Sequence, residues 1–357
     1  MELGICVASK IDDIDYIVEA ERLGFTHAWL ADSQMIWSDV YATLAVAATR
    51  TKTIRLGTGV AVAATRPAPV TAASIATINE LAPGRTFLGI GTGNTAMRIM
   101  GHPPMRINEF DRYLGELAPL LRGEEAEVTW RGTTAPVRHI MRDDGFVQFE
   151  PRIPMYVSGF GPRSLALAGA HGDGAVLSIP PQPEFVERVW SSIERGAAAV
   201  GRTVARDTFP LTTLTTIVVL DEGETIDSPR VFEHCGAFAV SGLHYAYEQW
   251  RNFGRRPTSP AMLEVWDDYV AVVEQTPQSH RHQRIHAGHN CWVLPDEAPF
   301  VTTELMAASC MIGTADQLVE RLGELDAAGL GQVMMLPPLA PRYETIHRVG
   351  EQVIPRL

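Results

Sequence analysis

The sequence predicts an α/β protein built as a TIM-type (β/α)8 barrel with insertions. Apolar, strand-like runs alternate with amphipathic helical patterns roughly every 25 to 30 residues up to residue 90, which indicates βαβ units and a parallel sheet. Eight such runs occur along the chain, and 357 residues suffice for a barrel of this type. A doubly wound sheet would place a glycine-rich turn after the first strand. This chain has Ser9 and Lys10 there, so the barrel is favoured.

The first half of the predicted barrel alternates regularly. Asp12 is expected to cap the first helix and Asp39 the second, because an aspartate side chain accepts the free N–H groups at a helix start. Gly24 is expected to end the first helix in a left-handed conformation. The predicted elements are strands Leu3–Ala8, Phe25–Leu30, Ile54–Val60 and Thr86–Ile90, and helices over 14–23, 40–49, 67–81 and 109–121.

The second half carries the insertions. We expect one domain over residues 1–357, with insertions at about 105–150 and 229–305. The first should contain a hairpin, and the second should be mostly helical, rich in aromatic residues and histidine. The predicted elements are strands Pro154–Val157, Ala175–Ser178, Leu211–Leu220 and Gln332–Leu336, and helices over 164–170, 185–200, 315–328 and 343–353.

Composition excludes several classes of function. A formal net charge of −12 argues against binding to nucleic acid or to an anionic membrane surface. The sequence has no apolar run of about 18 residues, so no membrane span is predicted. The first residues lack the features of a signal peptide, so a cytoplasmic protein is expected. The 4 cysteines show no CxxC spacing, which predicts buried free thiols rather than disulfides or a metal site.

Two glycine-rich loops follow predicted strands. Gly89, Gly91 and Gly93 crowd the end of the fourth strand, where glycine allows a sharp turn or the close approach of a ligand. By itself this pattern fits either a tight turn or a binding loop. A second loop, 158–161, runs into a helix that begins with Pro162 and Arg163. Free amides at a helix start, together with an arginine, suit an anion.

With these motifs in order, the chain resembles the bacterial luciferase-like superfamily of flavin- and F420-dependent oxidoreductases. The resemblance covers most of the chain and is weakest over residues 105–150 and 200–305. The stretches that carry it are AERLGFTHAWLADSQ, VAATRTKTIRLGTGV, TRPAPVTAASIATINELAPGRTFLGIGTGN, YVSGFGPRSLALAGAHGDGAVL and MIGTADQLVERLGELDAAGLGQVMM.

The resemblance implies a cofactor site, FMN or F420, at the carboxyl ends of the strands. In the family a bulge with a non-prolyl cis peptide supports the isoalloxazine ring, and Gly59 and Val60 stand at that position. The other residues that it assigns to the cofactor are Gly91, Thr92, Gly93 and Asn94 beside the ring and ribityl chain, Ser158, Gly159, Phe160, Gly161, Pro162, Arg163 and Ser164 at the phosphate, and Asp32 and Ser33, which with Trp37 would face the substrate side. Trp37 could equally pack under a loop, and Thr65 with Arg66 could anchor the backbone or contact the cofactor.

At two positions this sequence differs from one subgroup of the family. The family's F420-dependent sugar-phosphate dehydrogenases have a histidine after the strand-two aspartate and a glutamate after the GTG loop, where this chain has Ser33 and Asn94. That departure and the aromatic insertion favour a two-component monooxygenase, in which a flavin reductase supplies reduced FMN and O2 oxygenates a small apolar or aromatic organic substrate. The GTG loop favours the alternative, an F420-dependent hydride transfer with reduced F420 from an F420 reductase. A non-catalytic flavin-binding module is a third possibility, and the family suggests a homodimer.

Histidines in the second insertion are the remaining candidates for proton transfer. His280, His282, His286 and His289 lie close together in sequence, and His282 and His286 would share a helix face. A metal site would need such a pair plus a third ligand, but the superfamily uses none and no HExxH motif is present. Since Asn94 cannot transfer a proton at neutral pH, we expect His286 or His289 to act as acid or base, with Trp37 and Asn94 positioning the reactants.

Overall fold

A computed structural model describes residues 1–178 and 182–357, and eight parallel strands of these residues close into a barrel. Around the barrel the strand order is β1-β12-β9-β8-β7-β4-β3-β2. The elements of the first half are β1 (Glu2–Val7), α1 (Asp15–Arg22), β2 (His27–Leu30), α2 (Val40–Arg50), β3 (Arg55–Val62), α3 (Ala68–Leu81), β4 (Thr86–Gly91), α4 (Asn94–Arg98), α5 (Ile107–Leu120), β5 (Ala126–Trp130) and β6 (Thr133–Val137).

The second half completes the barrel and contains the long helical insertion. Its elements are β7 (Met155–Ser158), α6 (Pro162–His171), β8 (Gly174–Leu177), α7 (Pro183–Ala199), β9 (Leu211–Thr215), β10 (Ile217–Val219), α8 (Pro229–Phe253), α9 (Pro260–Glu274), α10 (Arg281–Arg284), α11 (Thr303–Ser309), β11 (Met311–Gly313), α12 (Ala315–Ala327), β12 (Gln332–Met335) and α13 (Arg342–Gln352). The predicted barrel is confirmed, and the expected hairpin in the first insertion is β5–β6.

Three local predictions were wrong. Asp12 does not cap the first helix, because its carboxylate is paired with Lys10 and the N-cap is Ile14. The predicted strand Leu211–Leu220 is two strands: β9 stays in the barrel, whereas β10 leaves it and pairs with β11. The histidine-rich segment is helical only over a 3-10 turn (Gln278–His280) and α10, so His282 and His286 do not share one helix.

Capping elsewhere follows the sequence. Asp39 accepts a hydrogen bond from the backbone N–H of Ala42 at 2.9 Å and so caps α2. Thr314 caps α12 through the N–H of Gln317.

Large side chains fill the inside of the barrel. Trp29, Phe87 and Tyr156 pack against one another, with ring centroids 4.3 to 5.6 Å apart. The indole N–H of Trp29 donates to the side-chain oxygen of Gln332 at 2.8 Å. This plug closes the barrel from below, so a ligand can approach only from the carboxyl ends of the strands.

The second insertion has a hydrophobic cluster of its own. Trp266, Tyr269 and Val273 of α9 pack against apolar residues of α8 and α11. This cluster holds the insertion's helices together next to the barrel mouth. Within residues 1–178 and 182–357, no helix combines the length and hydropathy that a membrane crossing requires.

Candidate active site

The third barrel strand is interrupted where its carboxyl end meets the mouth of the barrel. The peptide between Gly59 and Val60 is cis, as the family resemblance implies, and the pairing of β3 with β4 shifts register between Thr58 and Ala61. A Cβ on Gly59 would come within 2.6 Å of the Trp29 side chain, so this position accepts only glycine without displacement. The bulge therefore rests directly on the aromatic plug.

Asp32 is buried beside this bulge and holds it in place. Its carboxylate accepts hydrogen bonds from the backbone N–H of Val62 at 3.0 Å and from the guanidinium of Arg66 at 2.5 Å. Arg66 was expected either to anchor the backbone or to contact the cofactor. In the structure it anchors the bulge through Asp32. Asp32 also lines the barrel mouth, but its lone pairs are largely committed to these two partners.

The glycine loop after β4 leads into the short helix α4. Gly93 has a φ of +81°, and a Cβ there would lie 2.4 Å from Cγ1 of Val62, so both conformation and space demand glycine. A Cβ on Gly91 would lie 3.0 Å from Val60 and 3.3 Å from Ser158, two residues that line the mouth. The absence of side chains here keeps a flat slot open between strands.

The second loop joins β7 to α6. The hydroxyl of Ser164 accepts the N–H of Gly161 at 3.2 Å and donates to the carbonyl of Gly161. This local bonding orders the start of α6. Arg163 points to solvent, and Phe160 stacks on Tyr245 of α8 with centroids 5.6 Å apart. The loop therefore touches both the mouth and the insertion.

A first cavity of about 330 Å³ occupies the barrel mouth. It fits the flat ring system expected from the sequence, because its floor is apolar, with Val60, Val176 and Met334, and glycines form its side. The predicted residues that line it are Asp32, Ser33, Trp37, Gly59, Val60, Gly91, Thr92, Gly93, Asn94, Ser158, Gly159, Phe160, Ser164 and His289. Gly161, Pro162, Arg163 and His286 do not line it.

A second cavity of about 700 Å³ lies between the mouth and the insertion. Asn94, Phe160, His289 and Asn290 line both cavities, so the two are adjacent. The rest of its wall comes mainly from α8 and from residues 255–259 between α8 and α9, and His286 contributes one further side chain. The volume lies within the range of pockets for small organic molecules.

Two ionic units reach the wall of the second cavity through Glu248, His286 and His244. In the first, Glu248 of α8 lies between Arg98 of α4 and His286, with N–O distances of 3.3 Å to Arg98 Nε and 2.9 Å to His286 Nε2. In the second, Glu297 lies between Arg284 at 3.1 Å and His244 Nε2 at 3.0 Å. We call these the two Arg–Glu–His units. The first continues to the glycine loop, because Arg98 Nε donates to Asn94 Oδ1 at 3.0 Å.

Sequence reasoning missed most members of these units. His244 and Glu248 are four residues apart on α8, a spacing that places them on one helix face and was the available signal. Arg98 and Glu297 carried no such signal. Cys6, which also lines the first cavity, was treated only as a buried thiol. Burial raises its pKa to about 12, so it is a neutral part of the floor.

His289 lies where the two cavities meet. Its ring centroid is 5.8 Å from that of Trp37 and 5.4 Å from that of His286. Burial holds the pKa of His289 well below its usual range, so it is neutral at pH 7. Among residues 1–178 and 182–357, no group of three or more His, Cys, Asp or Glu side chains is arranged to hold a metal ion.

The chain is similar to known proteins along most of its length. Residues 11–332 match the luciferase-like monooxygenase family. The 5,10-methylenetetrahydromethanopterin reductase of Methanolobus tindarius is 33% identical over 95% of this chain and 94% of its own length. The F420-dependent glucose-6-phosphate dehydrogenase of Microbacterium testaceum is 28% identical over 96% of this chain and 92% of its own length.

Solved structures share the fold. The coenzyme F420-dependent tetrahydromethanopterin reductase of Methanopyrus kandleri has a TM-score of 0.70 at 21% identity, covering 99% of this chain and 98% of its own. The oxygenating component of 3,6-diketocamphane monooxygenase from Pseudomonas putida, in complex with FMN, has a TM-score of 0.63 at 16% identity, covering 100% and 98%. The chain therefore belongs to the luciferase-like family that its motifs predict, and it is an oxidoreductase of that family.

Proposed function

We propose that this protein is an F420-dependent oxidoreductase that transfers a hydride between the deazaflavin and an organic substrate. The observation that carries the proposal is the whole-chain similarity to reductases and F420-dependent dehydrogenases, at 33% and 28% identity. The FMN-bound monooxygenase shares the fold at 16% identity, a level that supports the barrel alone. The sequence alone slightly favoured the monooxygenase, and these relatives favour the F420 alternative instead.

Residues of the first cavity are assigned to the cofactor in this proposal. The bulge at Gly59 and Val60 supports one face of the ring, and the slot beside Gly91 admits its edge. The loop before α6 takes the phosphate, because its amides and the helix start favour an anion. When bound, the deazaflavin supplies or accepts the hydride.

Proton transfer must come from the insertion side. Ser33 and Asn94 line the mouth but do not ionise near neutrality. His289 and His286 lie next to each other at the border of the two cavities, so they are the groups placed to exchange a proton with substrate. Asn94 and Trp37 position the reactants, since Asn94 is fixed by Arg98 and Trp37 lies against His289.

Cofactor binding tests the proposal directly. The purified protein is titrated with oxidised F420 and, anaerobically, with reduced FMN, and both affinities are measured. We expect tight binding of F420 and negligible binding of reduced FMN. Oxygen uptake that depends on a flavin reductase would show the monooxygenase instead, and binding of either cofactor without any turnover would favour a non-catalytic module.

We also propose two partners for this protein, an F420 reductase and a second copy of the chain. An F420 reductase supplies the reduced cofactor where the substrate is reduced, and the chain forms a homodimer through the helices beside β2 and β3. Light scattering on the purified protein measures the second point, and a monomer would contradict it.

A further inference from the structure

The two Arg–Glu–His units share one hydrogen-bonding pattern, in which Nε2 of a histidine faces a glutamate oxygen. Glu248 is paired with Arg98, and Glu297 is paired with Arg284, which also pairs with Asp296 at 2.7 Å. The glutamate and histidine side chains are buried, so their polar atoms need hydrogen-bond partners. A carboxylate oxygen can only accept a hydrogen bond, so each histidine must carry a proton on Nε2 in order to donate to its glutamate.

This tautomer leaves Nδ1 of each histidine as a bare hydrogen-bond acceptor. Nδ1 of His286 and Nδ1 of His244 are buried and have no hydrogen-bond partner among the described residues. The same holds for Oδ1 of Asn290. All three residues line the second cavity. Buried polar atoms without partners are rare and costly in native proteins, so a cluster of them around one cavity points to a ligand that satisfies them.

Because these three atoms are acceptors, the ligand that completes them must be a donor. We propose that the second cavity binds the substrate through O–H or N–H groups, and that His286 accepts the proton of the donor attached to the reacting carbon. This inference rests on the proposed F420-dependent function. His286 is assigned the reacting group because its ring is 5.4 Å from His289, which also lines the cofactor cavity, whereas His244 binds a second donor further away.

The step balances for an alcohol or amine. The C–H bond breaks and its hydride goes to oxidised F420, the O–H or N–H proton goes to Nδ1 of His286, and a C=O or C=N bond forms. In reverse, Nδ1 of His286 would return the proton to the substrate oxygen or nitrogen, and bound reduced F420 would supply the hydride. Glu248 is a positioning residue, because its hydrogen bond fixes the tautomer and keeps Nδ1 toward the cavity.

Binding of two matched probes, without cofactor, tests the acceptor wall. 4-Methylphenol and its methyl ether 4-methylanisole share an apolar body, but only the phenol can donate. Calorimetry measures both dissociation constants at pH 7 for the wild type and for the variants His286→Phe, His244→Phe and His286→Gln. His282→Phe is the matched control, since it changes a nearby histidine that does not line the second cavity.

We expect the wild type and the control to bind the phenol about tenfold tighter than the ether, the size of one hydrogen bond. Because the phenol has a single O–H, the preference should fall toward one in the Phe variant of the histidine that accepts it, survive in the other Phe variant, and remain partly in His286→Gln, whose side chain can still accept. Equal affinity in the wild type, or a preference that survives both Phe variants, would overturn the inference. A preserved preference combined with no F420 binding would refute the proposed function instead.

Discussion

Replacing Glu248 by Gln tests the buried network that joins the barrel to the insertion. The Glu248 and Arg98 side chains are only 5% and 9% exposed, with Arg98 Nε 3.3 Å from the carboxylate. Neutralising the carboxylate leaves a buried guanidinium whose remaining side-chain partner is Asn94. Breaking a buried pair costs about 3 to 5 kcal/mol, and since glutamine keeps the shape we expect a loss near the lower end.

Urea unfolding at pH 7, followed by circular dichroism, measures this loss. In the double variant Glu248→Gln/Arg98→Met the unpaired charge is gone, so it should recover at least about 1.5 kcal/mol relative to Glu248→Gln alone. Glu264→Gln, an exposed glutamate of α9, is the control and should change stability by less than about 0.5 kcal/mol. A loss below about 1 kcal/mol, or additive losses in the double variant, would refute the reasoning.

Three further predictions concern the glycine loop at the mouth, the source of the proton, and His27, a buried residue of β2. Gly93→Ala forces a Cβ to 2.4 Å from Val62 at a φ of +81°, so F420 affinity measured by fluorescence should fall at least tenfold, and unchanged affinity would argue against the loop's role. His286→Ala and His289→Ala should each lower turnover while the dissociation constant of F420 stays within about twofold, and unchanged turnover in both would exclude the insertion as the proton source. Burial lowers the pKa of His27 to about 3, so the unfolded chain binds this proton below about pH 6.5 while the folded chain does not. Stability should therefore drop as pH falls from 6.5, and His27→Gln should reduce the loss between pH 7 and 4.5 by about 2.5 kcal/mol in urea titrations, whereas an identical pH dependence would contradict it.

Local pattern was enough to predict the barrel. Strand periodicity, the cap at Asp39 and the glycines at the end of β4 are properties of short segments, and the structure keeps them. The break after Thr215 was missed because the run LTTLTTIVVL is uniformly suited to strand. The run is divided because β10 pairs with β11, which lies about 90 residues further along the chain, so the local sequence carries no sign of this contact.

The site was predicted unevenly for the same reason. Residues of the mouth follow strand ends and were found from their motifs and the family resemblance. Glu248 and His286 are 38 residues apart, and Arg98 comes from another part of the chain altogether, so only the folded insertion brings them together. Their chemistry depends on burial, which composition and spacing do not report for a polar residue.

The departure of β10 from the barrel also affects how this protein could change over evolution. β10 and β11 lie side by side, and the N–H of Leu220 donates to the carbonyl of Gly313 at 2.8 Å. The long insertion therefore begins after β10 and ends before β11, and these two strands are hydrogen-bonded to each other outside the barrel. A lineage can lengthen, shorten or replace everything between them without opening the barrel or altering the cofactor's slot. New substrates can then be acquired by exchanging the insertion, while the barrel that carries the first cavity is inherited unchanged.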